Sequence, residues 1–118
     1  MYKRYENCKI LNPFWEDIHR LLVFTVLDGE GNKHLINIMG SRCRLSKELS
    51  KIASGELPRG IYACGMTDID MWFQSNGDVL IERSPCESQL LAFHVPAANF
   101  ATLVNWAQQD DDDRDDEF

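Results

Sequence analysis

No stretch of this 118-residue chain stays apolar for the roughly 18 residues needed to cross a bilayer. Its first residues, Met1-Tyr2-Lys3-Arg4-Tyr5-Glu6, are polar and lack the apolar run of a secretory leader. A cytosolic protein is therefore expected. Cysteine is sparse and scattered: Cys8, Cys43, Cys64 and Cys86 form no C-x-x-C pair and no Cys/His cluster at zinc-finger spacing. In the cytosol they are expected to be reduced thiols packed as small apolar groups. The glycine-rich phosphate loops, the HExxH zinc motif and the GxSxG nucleophile elbow are all absent. No enzyme, cofactor or metal is expected from such a sequence.

The polar residues that suggest chemistry each have a plainer reading. Glu16, Asp17 and His19 lie close together, and a carboxylate beside a histidine can do acid–base work. Near a chain end they read as a solvated polar face. His34 and His94 read as single histidines on strands. Asp68 and Asp70 would share one strand face and could hold a cation, but Thr67-Asp68 reads as a turn.

What is present is a globular composition, with 44% apolar residues. The length suits one domain with a real core. Arg20 to Leu27 and Lys33 to Met39 are β-prone runs separated by Asp28-Gly29-Glu30-Gly31-Asn32, the pattern of a hairpin. Leu45, Leu49 and Ile52 recur at helical spacing, so Ser46 to Ala53 is expected to be helical, capped at Gly55 before Pro58. Ile61 to Met66, Ile69 to Gln74, Val79 to Arg83 and Gln89 to Val95 read as further strands. Asn76-Gly77 joins the middle two, and Ser84-Pro85 reads as a turn. Pro96 opens a helix with a stripe of Phe100, Leu103, Val104 and Ala107, widened by Trp106. It is expected to stop near Gln108 or Gln109, because carboxylates at a helix C-terminus oppose the macrodipole. Phe14 to His19 reads equally as a short helical turn or an extended edge. The fold expected is α+β: an antiparallel sheet of about five or six strands with a mid-chain and a C-terminal helix. A small barrel of the oligonucleotide-binding type is the alternative.

Charge divides the chain in two. Asp110, Asp111, Asp112, Asp113, Asp115, Asp116 and Glu117 are acidic, Arg114 is basic and Phe118 is the one apolar side chain of this stretch. The chain carries −7 and residues 110–118 carry −6, so residues 1–109 carry only −1. A domain over 1–109 and an acidic arm over 110–118 are expected, the arm having too little apolar surface to fold by itself.

An acidic run ending in Phe resembles the C-terminal tip of bacterial and phage single-stranded DNA-binding proteins, which recruits replication and repair enzymes. The likeness covers the last nine residues. It departs from the bacterial tip, which has Ile-Pro before its Phe, whereas Asp116-Glu117 stands here and is closer to the phage style. The strand–turn–strand–helix order from Asp78 to Gln108 also resembles the end of the single-strand-binding coactivator fold, in pattern only. Arg42, Arg44, Lys47 and Lys51 form a basic group, with Lys3, Arg4 and Lys9 a second one. Trp72 and Phe73, being adjacent on a strand, must face opposite sides. Bases stack on exposed aromatic rings while cations track phosphates.

Two functions are thus expected as alternatives. One is a phage- or plasmid-type single-stranded DNA-binding accessory protein, holding nucleic acid on Arg42, Arg44, Lys47, Lys51, Trp72 and Phe73 and recruiting a partner through residues 110–118. The other is a protein-directed inhibitor of the anti-restriction, anti-CRISPR or immunity type, whose arm mimics phosphate charge in a basic groove. No membrane partner is expected. An exposed edge strand allows a homodimer.

Overall fold

The computed structural model describes residues 1–64, 67–86 and 88–111, with Cys64, Thr67, Asp110 and Asp111 placed by backbone alone. Among the described residues the elements run β1 (Tyr2–Tyr5), β2 (Lys9–Glu16), β3 (Leu21–Leu27), β4 (Lys33–Met39) and α1 (Arg42–Ser54). Then come β5 (Arg59–Cys64), β6 (Thr67–Phe73), β7 (Val79–Cys86), β8 (Gln89–Val95) and α2 (Ala97–Asp111).

The fold is α+β, but the strands form two sheets rather than one. β2-β3-β4 is an antiparallel meander; the larger sheet has the order β1-β8-β7-β6-β5, with β1 parallel to β8 and the rest antiparallel. The two sheets do not close on each other, so the barrel alternative fails. Most of the extra strand content comes from the N-terminal segment. β1 carries no period of its own and is held by main-chain pairing of Tyr2 to Tyr5 with Leu90 to Phe93. The ambiguous run Phe14 to His19 is extended through Glu16 and then turns over residues 17–20, and Pro13 falls where the register shifts between Leu11 and Phe14. A bulge tolerates proline because the strand loses no ladder bond there.

Turn chemistry sets the hairpins as expected. Asp28 Oδ1 accepts the amides of Glu30 (2.8 Å) and Asn32 (3.0 Å), closing the β3–β4 connection. Gly77 adopts φ 92° between β6 and β7, with the Gln74 amide donating to the Asp78 carbonyl (2.8 Å). Two expected turns are instead strand. Thr67-Asp68 begins β6, and β7 runs through Ser84-Pro85 to Cys86, its register shift after Arg83 absorbing the proline. Gly65 and Met66, expected at the end of the third strand, lie outside the described residues.

α1 begins four residues earlier than the apolar spacing suggests. Ser41 caps it by accepting the Arg44 amide (3.1 Å), so Arg42-Cys43-Arg44 forms a polar first turn. Gly55 ends it at φ 85°. α2 runs to Asp111, beyond the expected stop at Gln108 or Gln109. The main chain of residues 110 and 111 still reaches back one turn toward residues 106 and 107, and Ala107 is fully buried. Seating on the core therefore outweighs the macrodipole penalty.

One core joins both sheets and both helices. Leu22, Phe24, Val26, Ile36 and Ile38 come from the small sheet, and Ile69, Met71, Ile81, Phe93 and Val95 from the large one. Leu45, Leu49 and Ile52 of α1 and Phe100, Leu103 and Ala107 of α2 complete it. Cys8, Cys43 and Cys86 are free thiols. Cys8 is buried in the core, and its thiol is pushed up to about 11 by burial and by the charges of Asp28 and Glu6.

Candidate interaction surfaces

The residues expected to hold nucleic acid do not share one face. Arg42, Arg44, Lys47 and Lys51 lie on α1, whose buried side packs with Ile69 and Met71 in the core. Trp72 alternates with those two and so points to the opposite side of the large sheet. Phe73 turns inward, against the C-cap of α1, where a Cβ added to Gly55 would come within 2.9 Å of its ring.

The arginines are also matched by carboxylates. Arg42 donates from Nε to Asp17 (2.9 Å) and lies over the Trp15 ring (5.4 Å to its centroid). Arg44 donates to Glu48 (2.9 Å), which in turn accepts the Tyr62 hydroxyl (2.8 Å). Burial and that hydrogen bond to Glu48 raise the Tyr62 phenol well above its ordinary range. Trp72 donates its indole N–H to Glu82 (2.9 Å) and is covered by Arg59 at 4.2 Å, while Arg59 bonds Asp70 (3.0 Å). Arg59 and the carboxylates of Asp70 and Glu82 thus surround Trp72 on that face. Lys3 and Arg4 of the second basic group pair with Glu30 and Glu6.

Most of the residues read for catalysis or metal binding are paired within the body. His19 hydrogen-bonds Glu16 through its amide and ring (2.9 and 3.0 Å), Asp17 holds Arg42, and Asp70 holds Arg59. His34 meets buried Asp28 at 2.7 Å. His94 meets Asp78 at 2.6 Å, with its other nitrogen 3.1 Å from Glu6 at ion-pair distance but without hydrogen-bond alignment. Among the described residues no cluster of three His, Cys, Asp or Glu side chains could hold a metal ion.

Two surfaces that sequence reading missed lie side by side. The first is the outer face of the β2-β3-β4 sheet. Strand register aligns Leu11, Thr25 and Leu35 in one row, Phe14, Val23 and Asn37 in the next, and Glu16, Leu21 and Met39 in a third. Leu35 is 58% exposed, Phe14 51% and Met39 43%. These three exposed apolar side chains lie around Val23, which is buried at the centre of the face, with Lys9 and Lys33 confined to its far row. Alternation in β3 and β4 carries this signal, but both faces of β3 are apolar, so sequence alone could not tell which one is covered.

The second is a cleft of about 430 Å³, lined by His19, Arg20, Met39, Gly40, Ser41, Arg44, Ile61, Tyr62 and Ala63. It opens between the β2–β3 turn, the start of α1 and the edge strand β5, and it shares Met39 with the apolar sheet face. Arg20 sits in the turn at φ 57°. Among the described residues no carboxylate lines the cleft, and the first turn of α1 carries no acidic residue. Glu16 and Glu48, outside the lining, accept the His19 amide and the Arg44 Nε–H.

Of the expected partner-binding residues, Asp110 and Asp111 end α2, and Asp112, Asp113, Asp115, Asp116, Glu117 and Phe118 lie outside the described residues. No protein-family model matches the chain, and no curated protein does. Among the described residues no helix is long and apolar enough to cross a membrane.

Proposed function

We propose that the protein is a protein-directed binding module, an inhibitor or adaptor whose acidic arm enters a basic groove of its partner. The observation that carries this reading is the distribution of charge. Arg42, Arg44 and Arg59 are matched by carboxylates and residues 1–109 carry a net charge of only −1, while residues 110–118 carry −6. Such an arm steers association toward a cationic surface and makes it sensitive to salt. A partner that works on nucleic acid has the groove such an arm would fill. The open Phe14, Leu35 and Met39 face then supplies the apolar area that charge alone does not provide.

The experiment is a paired binding measurement. The full chain and a form ending at Gln109 are passed over immobilised candidate nucleases, helicases and polymerases, and separately titrated with labelled oligo-dT. The expected outcome is capture of a basic enzyme by the full chain, lost or strongly weakened without the arm, and no oligonucleotide binding by either form. Tight oligo-dT binding by the truncated form would overturn this reading in favour of a single-stranded DNA-binding protein.

A further inference from the structure

We infer that the cleft between the β2–β3 turn, the start of α1 and β5 binds a small organic oxyanion, a carboxylate or phosphate carried on an apolar body. The site is built from the body alone and is independent of the acidic arm.

The charged part of the cleft is held in place by the fold. Arg20 takes a left-handed backbone (φ 57°) at the end of the turn, and its amide donates to the Asp17 carbonyl (3.3 Å). Its own carbonyl accepts the Gly40 amide (2.9 Å), which ties the turn to the end of β4. Ser41 follows Gly40 and caps α1 by accepting the Arg44 amide (3.1 Å). Arg20, Gly40, Ser41 and Arg44 are therefore linked through the main chain before any ligand arrives. The Arg44 side chain is set as well. Its Nε donates to one oxygen of Glu48 (2.9 Å), whose other oxygen accepts the Tyr62 hydroxyl (2.8 Å), and its guanidinium lies over the Tyr62 ring (5.7 Å to the centroid). The two terminal nitrogens of Arg44 remain as donors. Among the described residues no hydrogen bond or ion pair engages the Arg20 side chain. Two guanidiniums with no carboxylate in the lining suit a planar or tetrahedral oxyanion.

The rest of the lining calls for an apolar body on that oxyanion. Gly60 and Tyr62 of β5 are buried, so alternation turns Ile61 and Ala63 outward along the edge strand. Ile61 is 51% exposed, and Met39 joins it and Ala63 in the lining. The volume of about 430 Å³ falls within the roughly 300–1,000 Å³ of small-ligand clefts. A bare inorganic ion would leave Met39 and Ile61 uncovered. A neutral hydrocarbon would desolvate two guanidiniums and give them no acceptor in return. Only a ligand with both halves satisfies both parts of the cleft.

The test is heteronuclear NMR on the full chain with four probes: phenylacetate, phenyl phosphate, benzyl alcohol and inorganic phosphate. At least one of the two aromatic oxyanions is expected to shift the amide signals of Arg20, Gly40, Ser41, Ile61 and Ala63 saturably, and the tighter one identifies the headgroup. Nuclear Overhauser contacts are expected between its ring protons and the methyl groups of Met39 and Ile61. Benzyl alcohol and inorganic phosphate are each expected to bind about fivefold or more weakly. Affinity for the aromatic oxyanion should fall several-fold from low to moderate salt. Arg20→Asn, which suits a left-handed backbone, and Arg44→Gln are each expected to weaken that probe by a similar factor while melting near the parent temperature. No saturable change at these amides with either aromatic oxyanion would overturn the assignment. So would benzyl alcohol binding equally well, or parent-like affinity in both variants.

Discussion

Among single residues, Asp28 carries more of the fold than its place in a surface turn suggests. Burial pushes its carboxyl up, but hydrogen bonding to His34 and the amides of Asn32 and Glu30, together with the charge of His34, outweighs this and holds it below its ordinary range. A carboxyl lowered by folding stays ionised in the native state at pH values where the unfolded chain takes up a proton. Its stabilisation is therefore complete above the unfolded value of about 4 and fades as pH falls through the lower native value. Asp78, lowered by the Ala97 amide and by His94 against the same burial effect, acts in the same direction. Asp28→Asn is expected to cost about 1–3 kcal/mol at pH 7. Urea unfolding should show the gap to the parent protein shrinking below about pH 4; a gap unchanged at pH 2.5 would contradict this account. The sequence marked Asp28 as a turn former and His34 as a sheet residue. Their contact depends on strand register, which composition does not reveal. Trp72 and Phe73 were legible in one respect: alternation sent them to opposite faces. That the exposed one would be ringed by Glu82, Asp70 and Arg59 required knowing which strands lie beside it.

Secondary-structure elements were most legible where a turn or period was strong. The Asp28–Asn32 and Asn76-Gly77 hairpins, the apolar stripe of α2 and the end of α1 at Gly55 all follow from local rules. β1 was not legible, because four exposed or half-exposed residues carry no period and owe their structure to β8. Gly55 also illustrates coupling between elements. Its φ of 85° needs glycine, and the Phe73 ring occupies the space a Cβ would take. Gly55→Ala is expected to destabilise by about 1–3 kcal/mol through backbone strain and overpacking. Thermal unfolding of this variant should show a lowered midpoint, relieved in part by adding Phe73→Leu. Equal losses with and without the second change would mean that strain alone is responsible.

For the whole molecule, the division into a near-neutral body and an anionic arm was readable from the sequence, and the structure adds where the body's charges go. The α+β class was legible, but its division into two sheets was not, since nothing in a strand's sequence says which neighbour it will choose. The open face of the small sheet was missed for the same reason. If that face contributes to partner binding, Leu35→Asp should weaken capture by tenfold or more, a loss of about 1.4 kcal/mol or more. The melting temperature should stay near that of the parent, because Leu35 is 58% exposed. Removing residues 110–118 should likewise leave the melting temperature nearly unchanged, as measured by circular dichroism. A large drop from either change would assign these segments to the core instead.

The pairing of Tyr2–Tyr5 with Leu90–Phe93 also bears on how the chain is made. During synthesis residues 2–5 leave the ribosome before the strand they join. They must wait until residues 89–95 have emerged, by which time the β2-β3-β4 meander, whose contacts are local, has had time to form. The large sheet is thus completed late, and its β7 edge is bare until residues 89–95 emerge. A nascent chain stalled before residue 89 should expose residues 2–5 to proteases, whereas one stalled well beyond α2 should not.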